Sequence, residues 1–441
     1  MHSEPFRPRH HLTAPAGWMN DPNGLIKHGD DWHVFYQHDP ASTKHGPMHW
    51  GHAVTRDFVT WHHLPVALAP QNGWTCFSGS AIETPSGDVK LFYTDHMRTP
   101  NGQERQHQSL VHADLAAGTF RREQVNPVVR SDGPGVFRDP KVIWHAASAR
   151  WVMLITVGQE IRFYSSPDLG QWRFESQFGL GHGFHSAAPW ECPDLVLLDA
   201  PDGVSAWVLF VGTSDPSPGR GTATQYFAGS FDGQRFTNAN PPDLVLWADE
   251  GRDFYASQTF FRRDGGVPVM LGWASNWDYA LVTPTHSFRG AMSFPRELTL
   301  NQTPQGLRLI QTLPQPLRDA LPEMTASTGG GAVYRMAFTL DPEQGLFLFG
   351  ADKPQLSRSP DGRKLVITRN EGWAVTTQSF CTDHHITIGS GPLWGEVYVD
   401  HGITEISLLD GRIWITQLHF PGDLTAAPKV DRVPLSDGGG M

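Results

Sequence analysis

Two series of short motifs run in step through roughly the first 300 residues of this 441-residue chain. One is an aspartate, a turn and an aromatic residue: Asp57-Phe-Val-Thr-Trp61, Asp168-Leu-Gly-Gln-Trp172 and Asp232-Gly-Gln-Arg-Phe236. With Asp114 to Phe120 as a longer variant, its members are spaced by 57, 54 and 64 residues. The other is polar: Asp21 in WMNDPNG, Ser78 in CFSGS, Asp139 in FRDP, Glu191 in WECP and Tyr255 in DFYASQ, spaced by 57, 61, 52 and 64 residues. Each unit therefore carries a polar motif near its start and a hairpin-like turn later. A four-stranded blade with long connections has a period of this order, and radial packing of blades brings the unit starts to one axis. Five starts predict an all-β chain whose larger part is a five-bladed β-propeller.

The segments between the turns suit strands. Trp32 to Gln37, Val89 to Thr94, Trp151 to Val157, Ala206 to Gly212 and Pro268 to Trp273 are short, rich in β-branched and aromatic residues, and fenced by Gly, Pro, Asp or Asn. Helical periodicity is scarce, and 45 Gly with 35 Pro exceed their usual share, as many tight turns require. The pattern stops after Arg289-Gly-Ala-Met-Ser-Phe-Pro-Arg-Glu-Leu298. A proline-punctuated connector follows, Leu313-Pro-Gln-Pro-Leu-Arg-Asp-Ala-Leu-Pro322. Short alternating runs then resume at Val333 to Leu340, Leu346 to Phe349, Lys364 to Thr368, Glu396 to Asp400, Thr404 to Leu409 and Ile413 to Phe420, which predict a β-sandwich. The expected organisation is a propeller over 1–312, a linker over 313–328 and a sandwich over 329–441. The sandwich shows no candidate chemistry and reads as a stabilising or oligomerising module; the oligomeric state itself is not legible.

Charge narrows the partners. With 34 Lys and Arg against 45 Asp and Glu, the net charge is −11 and unclustered, which argues against nucleic acid and anionic membranes. No run approaches the roughly 18 apolar residues of a membrane helix. The N-terminus has no apolar signal-peptide region, and Cys76, Cys192 and Cys381 are odd in number and far apart. A cytoplasmic location is expected, or a secreted one if a leader has been removed. The 22 His, among them His49, His52, His62 and His63, form no HExxH or His-His-carboxylate pattern, so no metal is expected.

Three acids stand out, Asp21, Asp139 and Glu191, each at a unit start and each beside an aromatic residue or Arg: Trp18, Arg138, Trp190. Pro22 and Pro140 follow the aspartates directly, and Pro193 follows Glu191 after Cys192. Proline disfavours helical geometry before it and removes a backbone donor, so each carboxylate is expected to end or interrupt a strand and point along it into a cavity. The dipeptides Asp39-Pro40 and Asp215-Pro216, out of phase with the repeat, read as turns. Converging carboxylates repel one another, so one is expected to titrate high and act as an acid while another stays ionised as a nucleophile. Glycoside hydrolysis with retention requires such a pair. Trp18, Trp50, Phe77, Trp190 and Trp273 suit sugar faces, and Asn20, Asn23, Gln37, Ser78 and Arg138 offer hydroxyl contacts. Most of the 16 Trp are expected to be packing residues.

The ordered motifs WMNDPNG (18–24), FYQ (35–37), HWGHA (49–53), FSGSA (77–81), NPV (126–128), FRDPKV (137–142), WECPDL (190–195), DFYASQTF (253–260), LGWASNW (271–277) and MSFPRELTL (292–300) resemble those of glycoside hydrolase family 32. That family contains invertases, exo-inulinases and levanases and combines a five-bladed propeller with a β-sandwich. The resemblance implies that Asp21 is the nucleophile, attacking the anomeric C2 of a β-fructofuranosyl unit to form a covalent fructosyl-enzyme. It implies that Glu191 protonates the leaving oxygen and later deprotonates water, and that Asp139 binds fructose hydroxyls and stabilises the oxocarbenium-like transition state. Asn20, Gln37, Trp50, Ser78, Arg138, Tyr255 and Trp273 match positions lining the fructose subsite, with Phe77 among the surrounding aromatics. No metal or cofactor is implied.

The implied activity is that of a retaining β-fructofuranosidase acting on sucrose and short fructo-oligosaccharides. A fructosyltransferase or a sucrose-6-phosphate hydrolase is the alternative, and the presence of all three acids disfavours an inert fructan-binding propeller. Two departures are visible: Asp39 stands where the family usually has Asn, and Asp400-His-Gly-Ile-Thr-Glu405 lacks a serine usual in that motif. Gln71 to Trp74 and His96 to His107 are candidates for contacting the leaving-group sugar. Arg98, Arg105 and His107 suit either a sugar phosphate or solvent.

Overall fold

The computed structural model describes residues 4–214, 220–324, 331–369, 375 and 377–433. Asp215-Pro216 and residues 325–328 of the expected linker lie outside the described residues.

Each Asp-turn motif folds by local chemistry. The Asp57 carboxylate accepts from the amides of Val59 (2.8 Å) and Thr60 (3.0 Å). Asp168 does the same with Gly170 and Gln171, and Asp232 with Gln234 and Arg235. Asp114 accepts from Ala117 at 2.9 Å in its longer loop. An aspartate that ties its own backbone closes a turn without help from the rest of the chain. Each of these turns joins the third and fourth strands of an antiparallel sheet. Asp39 closes another turn, accepting from Ala41 at 2.9 Å.

Five such sheets precede the connector. The first contains Gly17–His28, Asp31–Asp39, His49–Thr55 and His62–Leu68, and the second Thr75–Glu83, Val89–Arg98, Glu104–Asp114 and Thr119–Arg122. The third contains Arg138–His145, Arg150–Val157, Glu160–Ser166 and Arg173–Phe178, and the fourth Glu191–Asp199, Ser205–Ser214, Thr222–Phe231 and Phe236–Asn238. The fifth contains Tyr255–Thr259, Val269–Trp273, Arg296–Thr303 and Gly306–Thr312. Its last hairpin has no aspartate; Thr303 Oγ1 accepts from the Gln305 amide instead. That substitution hides the turn from a search for Asp. The expected strands lie within these spans, except that Pro268 precedes the strand that begins at Val269.

The first strand of every sheet packs against the first strands of the sheets before and after it, and Tyr255–Thr259 packs back on Gly17–His28. A short parallel strand, Phe288–Arg289, pairs with Gly17 and Trp18 and fastens the end of this region to its beginning. Each gap between neighbouring sheets holds its own apolar cluster. Phe35 and Trp50 meet Leu91 and Tyr93 between the first and second sheets, and Val208 and Phe210 meet Leu298 and Leu300 between the fourth and fifth. This nearly all-β arrangement is consistent with a propeller. Burial of such large side chains, each contributing about 1.5–3 kcal/mol, stabilises the sheets against one another.

After a short helix, Gln315–Ala320, two more sheets face each other across one core. Tyr334, Val397, Val399 and Ile406 of one sheet meet Leu346, Leu356 and Leu365 of the other. A strand at Lys429–Arg432, not anticipated from the sequence, closes the edge of the second sheet beside Gln344–Phe347.

Carboxylates of the C-terminal sheets join the two parts of the chain. Asp400 accepts from the amides of Arg9 (2.7 Å), His10 (2.8 Å) and His11 (3.0 Å), and from the His11 ring at 2.9 Å. Glu405 accepts from the Phe294 amide at 2.5 Å and from Arg296 at 2.7 Å, and its other partner is the far side of the His11 ring at 3.3 Å. Arg296 also meets Asp249 at 2.9 Å and lies over the rings of Phe254 and Trp414. The departure noted at 400–405 is therefore the seam of the molecule. Burial by itself would lower the His11 pKa, but Asp400 and Glu405 outweigh it and raise it. Burial opposes ionisation of both acids, yet hydrogen bonds from His11 and its neighbours hold Asp400 well below its ordinary range, and Arg296 and His11 lower Glu405.

Two outcomes follow for stability. Arg296→Met removes the guanidinium shared by buried Asp249 and Glu405, leaving Glu405 the His11 ring as its cationic partner, and is expected to cost about 3–5 kcal/mol in urea unfolding; a loss below about 1 kcal/mol, the size of an exposed pair, would contradict the role given to this seam. The raised His11 contributes stability that is complete below its ordinary pKa of 6.5 and is lost as pH rises through its raised value. The His11→Gln protein should lack that alkaline component of the pH dependence of melting.

Candidate active site

All five first strands carry an irregularity at their polar motif. Met19 to Pro22 spans three steps opposite the two from His38 to Tyr36, and Phe77 to Gly79 spans two opposite the one from Thr94 to Tyr93. The same extra residue appears at Arg138 to Lys141, Glu191 to Asp194 and Tyr255 to Gln258. These are β-bulges, which bend a strand and re-aim its side chains. Asp139, Cys192 and Ala256 take left-handed φ angles of 62°, 48° and 50° within them. A non-glycine residue held there costs about 1–3 kcal/mol and persists only where its surroundings enforce it. The expected interruption of the strands is present, with a different cause: Ser78 and Tyr255 have bulges and no following proline. At Gly79 a side chain is excluded outright, because a Cβ would lie 1.9 Å from the Phe92 carbonyl oxygen.

The bulges bring the three acids to one place, and Cys192 joins them. Its amide donates to Asp139 Oδ2 at 2.9 Å and its thiol to Asp21 Oδ2 at 3.5 Å, while Glu191 precedes it in the chain. Asp21 Oδ2 also accepts from Ser78 Oγ at 2.6 Å, and Oδ1 from Asn20 Nδ2 at 2.9 Å. Asn20 is itself fixed by the Trp18 indole N–H at 2.7 Å. Arg138 donates to Glu191 Oε1 at 2.8 Å and stands 3.8 Å from Asp139. The Tyr255 hydroxyl donates to the other Glu191 oxygen, and the Asp139 amide donates to Thr94 Oγ1 at 2.9 Å.

The electrostatics follow from burial and like charge. Desolvation is the main reason that Asp139 is pushed up to about 7; Arg138 opposes the shift, and the Glu191 and Asp21 charges add to it. Asp21 is also raised, by burial and then by the Glu191 charge, while the Ser78, Asn20 and Cys192 donors pull the other way. Burial, and then the three acids, raise the Cys192 thiol well above its usual value, which keeps it protonated as a donor.

The remaining anticipated residues divide by position. Trp18, Tyr255 and Trp273 pack together with Cys192 beneath Phe77 and Trp277. The buried Trp273 indole N–H has no acceptor among the described residues. Trp50 is fully buried, and its N–H donates to the Phe77 carbonyl at 3.0 Å. Gln37 holds the Cys76 carbonyl at 2.9 Å, so these two residues fix the strand that presents Ser78. Trp190 belongs to the packing between the third and fourth sheets, not to the acid cluster; its N–H bonds the Phe184 carbonyl.

His96, the first residue of an anticipated rim segment, stacks on Phe77 at 3.9 Å and 8°, and His45 meets Phe77 and Trp277 edge-on, forming an aromatic rim. Other residues of the site escaped sequence reading. Cys192 and Trp277 stood inside quoted motifs, whereas Thr94 and His45 had no motif to mark them. Trp74 and His107 of the anticipated rim segments lie 5.4 Å apart, and Arg98 and Arg105 are exposed at a hairpin end. No group of three or more His, Cys, Asp or Glu suited to a metal ion occurs among the described residues, and no described helix is long and apolar enough to cross a membrane. Carboxyls that differ in their donors, gathered around Cys192 beneath an aromatic rim, can divide nucleophilic and acid–base work.

The model of the glycosyl hydrolases family 32 N-terminal domain matches residues 11–312. The levanase of Bacillus subtilis is 41% identical across 70% of this chain, and the invertase of Schizosaccharomyces pombe 35% identical across 96% of it. The chain spans 47% of the levanase, 58% of invertase 2 of Saccharomyces cerevisiae and 82% of the S. pombe invertase. Among solved structures, the exo-inulinase from Aspergillus awamori superposes with a TM-score of 0.89 at 25% identity, over 98% of this chain and 96% of its own. The β-fructofuranosidase from Schwanniomyces occidentalis complexed with fructosyl-erythritol gives 0.84 at 26%, over 96% and 93%. On the match over residues 11–312 and these identities, the chain belongs to glycosyl hydrolase family 32.

Proposed function

We propose that this protein is a retaining β-fructofuranosidase that removes terminal non-reducing β-D-fructofuranosyl units from sucrose and short fructo-oligosaccharides. The joining of Asp21, Asp139 and Glu191 through Cys192 carries the reading, and relatives named invertase, levanase and exo-inulinase support the substrate class. We further propose that the five cyclically packed sheets are the blades of a five-bladed propeller over 1–312, followed by a linker over 313–328 and a β-sandwich over 329–441. The single core shared by the last two sheets supports the sandwich.

In the proposed reaction an Asp21 oxygen attacks the fructosyl C2 as the bond from C2 to the leaving oxygen breaks, and Glu191 gives that oxygen its proton. Water then attacks C2, Glu191 takes its proton, and the Asp21 ester is released. Ser78, Asn20 and Cys192 fix the plane of the attacking carboxylate. Tyr255 and Arg138 orient Glu191, Asp139 meets fructose hydroxyls and the developing positive charge, and Trp273 has an indole N–H to offer a hydroxyl. The 6-phosphate alternative rests on Arg98, Arg105 and His107, of which the two arginines are exposed at a hairpin end; the relatives named invertase favour the unphosphorylated substrate.

Asp21→Asn should lower fructose release from sucrose by at least roughly 10³-fold with the circular dichroism spectrum unchanged; near wild-type release would exclude the nucleophile assignment. Glu191→Ala should lose more activity on sucrose than on an aryl fructoside whose leaving group needs no proton, and equal losses would exclude it as the acid. Ser78→Ala removes a hydrogen bond that lowers the Asp21 pKa. Asp21 must be ionised to attack, so the acid limb of the kcat/KM profile should move to higher pH.

A further inference from the structure

The strands that carry the acids at one end also build a cavity at the other. A space of about 450 Å³ lies among the far ends of the first strands of the second to fifth sheets, with walls that include Glu83, Trp144, Leu197 and Arg263. Trp144 stands five residues beyond Asp139 on one strand, about 15 Å at the usual rise. Lys141, Asp194 and Thr259 lie between the two levels: Lys141 donates to Asp194 at 2.9 Å and to the Thr259 carbonyl at 2.8 Å. This floor makes the cavity separate from the acid cluster.

Its chemistry is specific. Trp144 is 39% exposed, edge-packed on Trp151 at 5.1 Å, and Leu197 is 46% exposed beside it. The charged groups of the wall are matched in pairs: Arg263 with Glu83 at 3.2 Å, Arg262 with Asp264 at 2.6 Å, and Lys141 with Asp194. A phosphate or carboxylate would find every wall cation among the described residues already neutralised. A purely apolar ligand would strip water from the Arg263 and Glu83 pair without replacing its hydrogen bonds. A ligand with an apolar face for the indole and hydroxyls for the ion pair satisfies both demands.

We propose that this cavity is a non-catalytic binding site for a neutral oligosaccharide. That the oligosaccharide is a fructan segment rests on the function proposed above; the saccharide class does not. Such a site would hold a polymeric substrate on the protein between cleavages without touching the reacting bond.

Calorimetric titration of the Asp21→Asn protein with 1-kestose tests it, since the probe then survives. Two binding events are expected. Trp144→Ala or Leu197→Arg in that background should weaken one of them by about tenfold or more, equivalent to about 1.4 kcal/mol, and leave the other unchanged. In the protein with Asp21 intact, the same two substitutions should leave fructose release from sucrose within about twofold of wild type. A single event, or two events that both substitutions leave unaltered, would overturn the proposal. So would a Leu197→Arg protein whose only change is in sedimentation, which would make this face a contact between copies. Failure of the intact enzyme to release fructose would refute the catalytic reading and leave the titration to decide the cavity.

Discussion

Closing five antiparallel sheets on one another forces the starts of five strands into a small volume, and three of those starts are acids. Carboxyl groups brought together repel, and the structure answers with donors. Asp21 receives three side-chain hydrogen bonds, Glu191 receives a guanidinium and a phenol, and Asp139 receives the Cys192 amide. Two of these contacts come from one residue on a bulge at φ 48°. The geometry of the acids thus depends on a backbone conformation that the ring of strands must enforce.

The same side-chain chemistry gives the opposite result at the seam between the two parts of the chain. Asp400 is as buried as Asp139, yet its carboxyl is held well below the usual range while Asp139 is pushed up to about 7. The difference lies in the neighbours. Asp400 accepts three backbone amides and faces a histidine, whereas Asp139 accepts one amide, has its guanidinium at 3.8 Å and shares its cavity with two other acids. One carboxylate is satisfied and holds the fold together; the other is kept short of donors and remains ready to accept from a ligand.

The phase of two motif series made the sheets of the first 300 residues legible, because each Asp-turn is closed by its own backbone and each polar motif marks a first strand. Legibility failed wherever a contact is long-range. The last hairpin of the fifth sheet uses Thr303 in place of Asp, and the strand Phe288–Arg289 is defined only by its partner at the other end of the region. Nothing local announced that Asp400 and Glu405 would meet the N-terminal segment, nor that Thr94 and His45 would stand beside the acids. Proline was a correct marker of the aspartates with an incomplete cause, since the bulges occur with or without it. The tryptophans show the same limit: Trp190 stands next to Glu191 in the chain, and its ring faces the opposite way, into the core between two sheets.

Sequence reasoning expects a single acid to hold the proton. The structure holds up both aspartates, and the Glu191 charge contributes to each shift. The Asp21 charge also raises Asp139, so within this set of three acids the protonation of the two aspartates is linked. Arg138, within 2.8 Å of Glu191 and 3.8 Å of Asp139, is shared between two members of that set. On the proposed reading, fructose hydroxyls donating to Asp139 supply the donors it lacks and favour its ionised form. Substrate binding thereby ends the shortage of donors that burial imposes on Asp139, so the carboxylate that faces the developing positive charge gains its own charge when the substrate is in place.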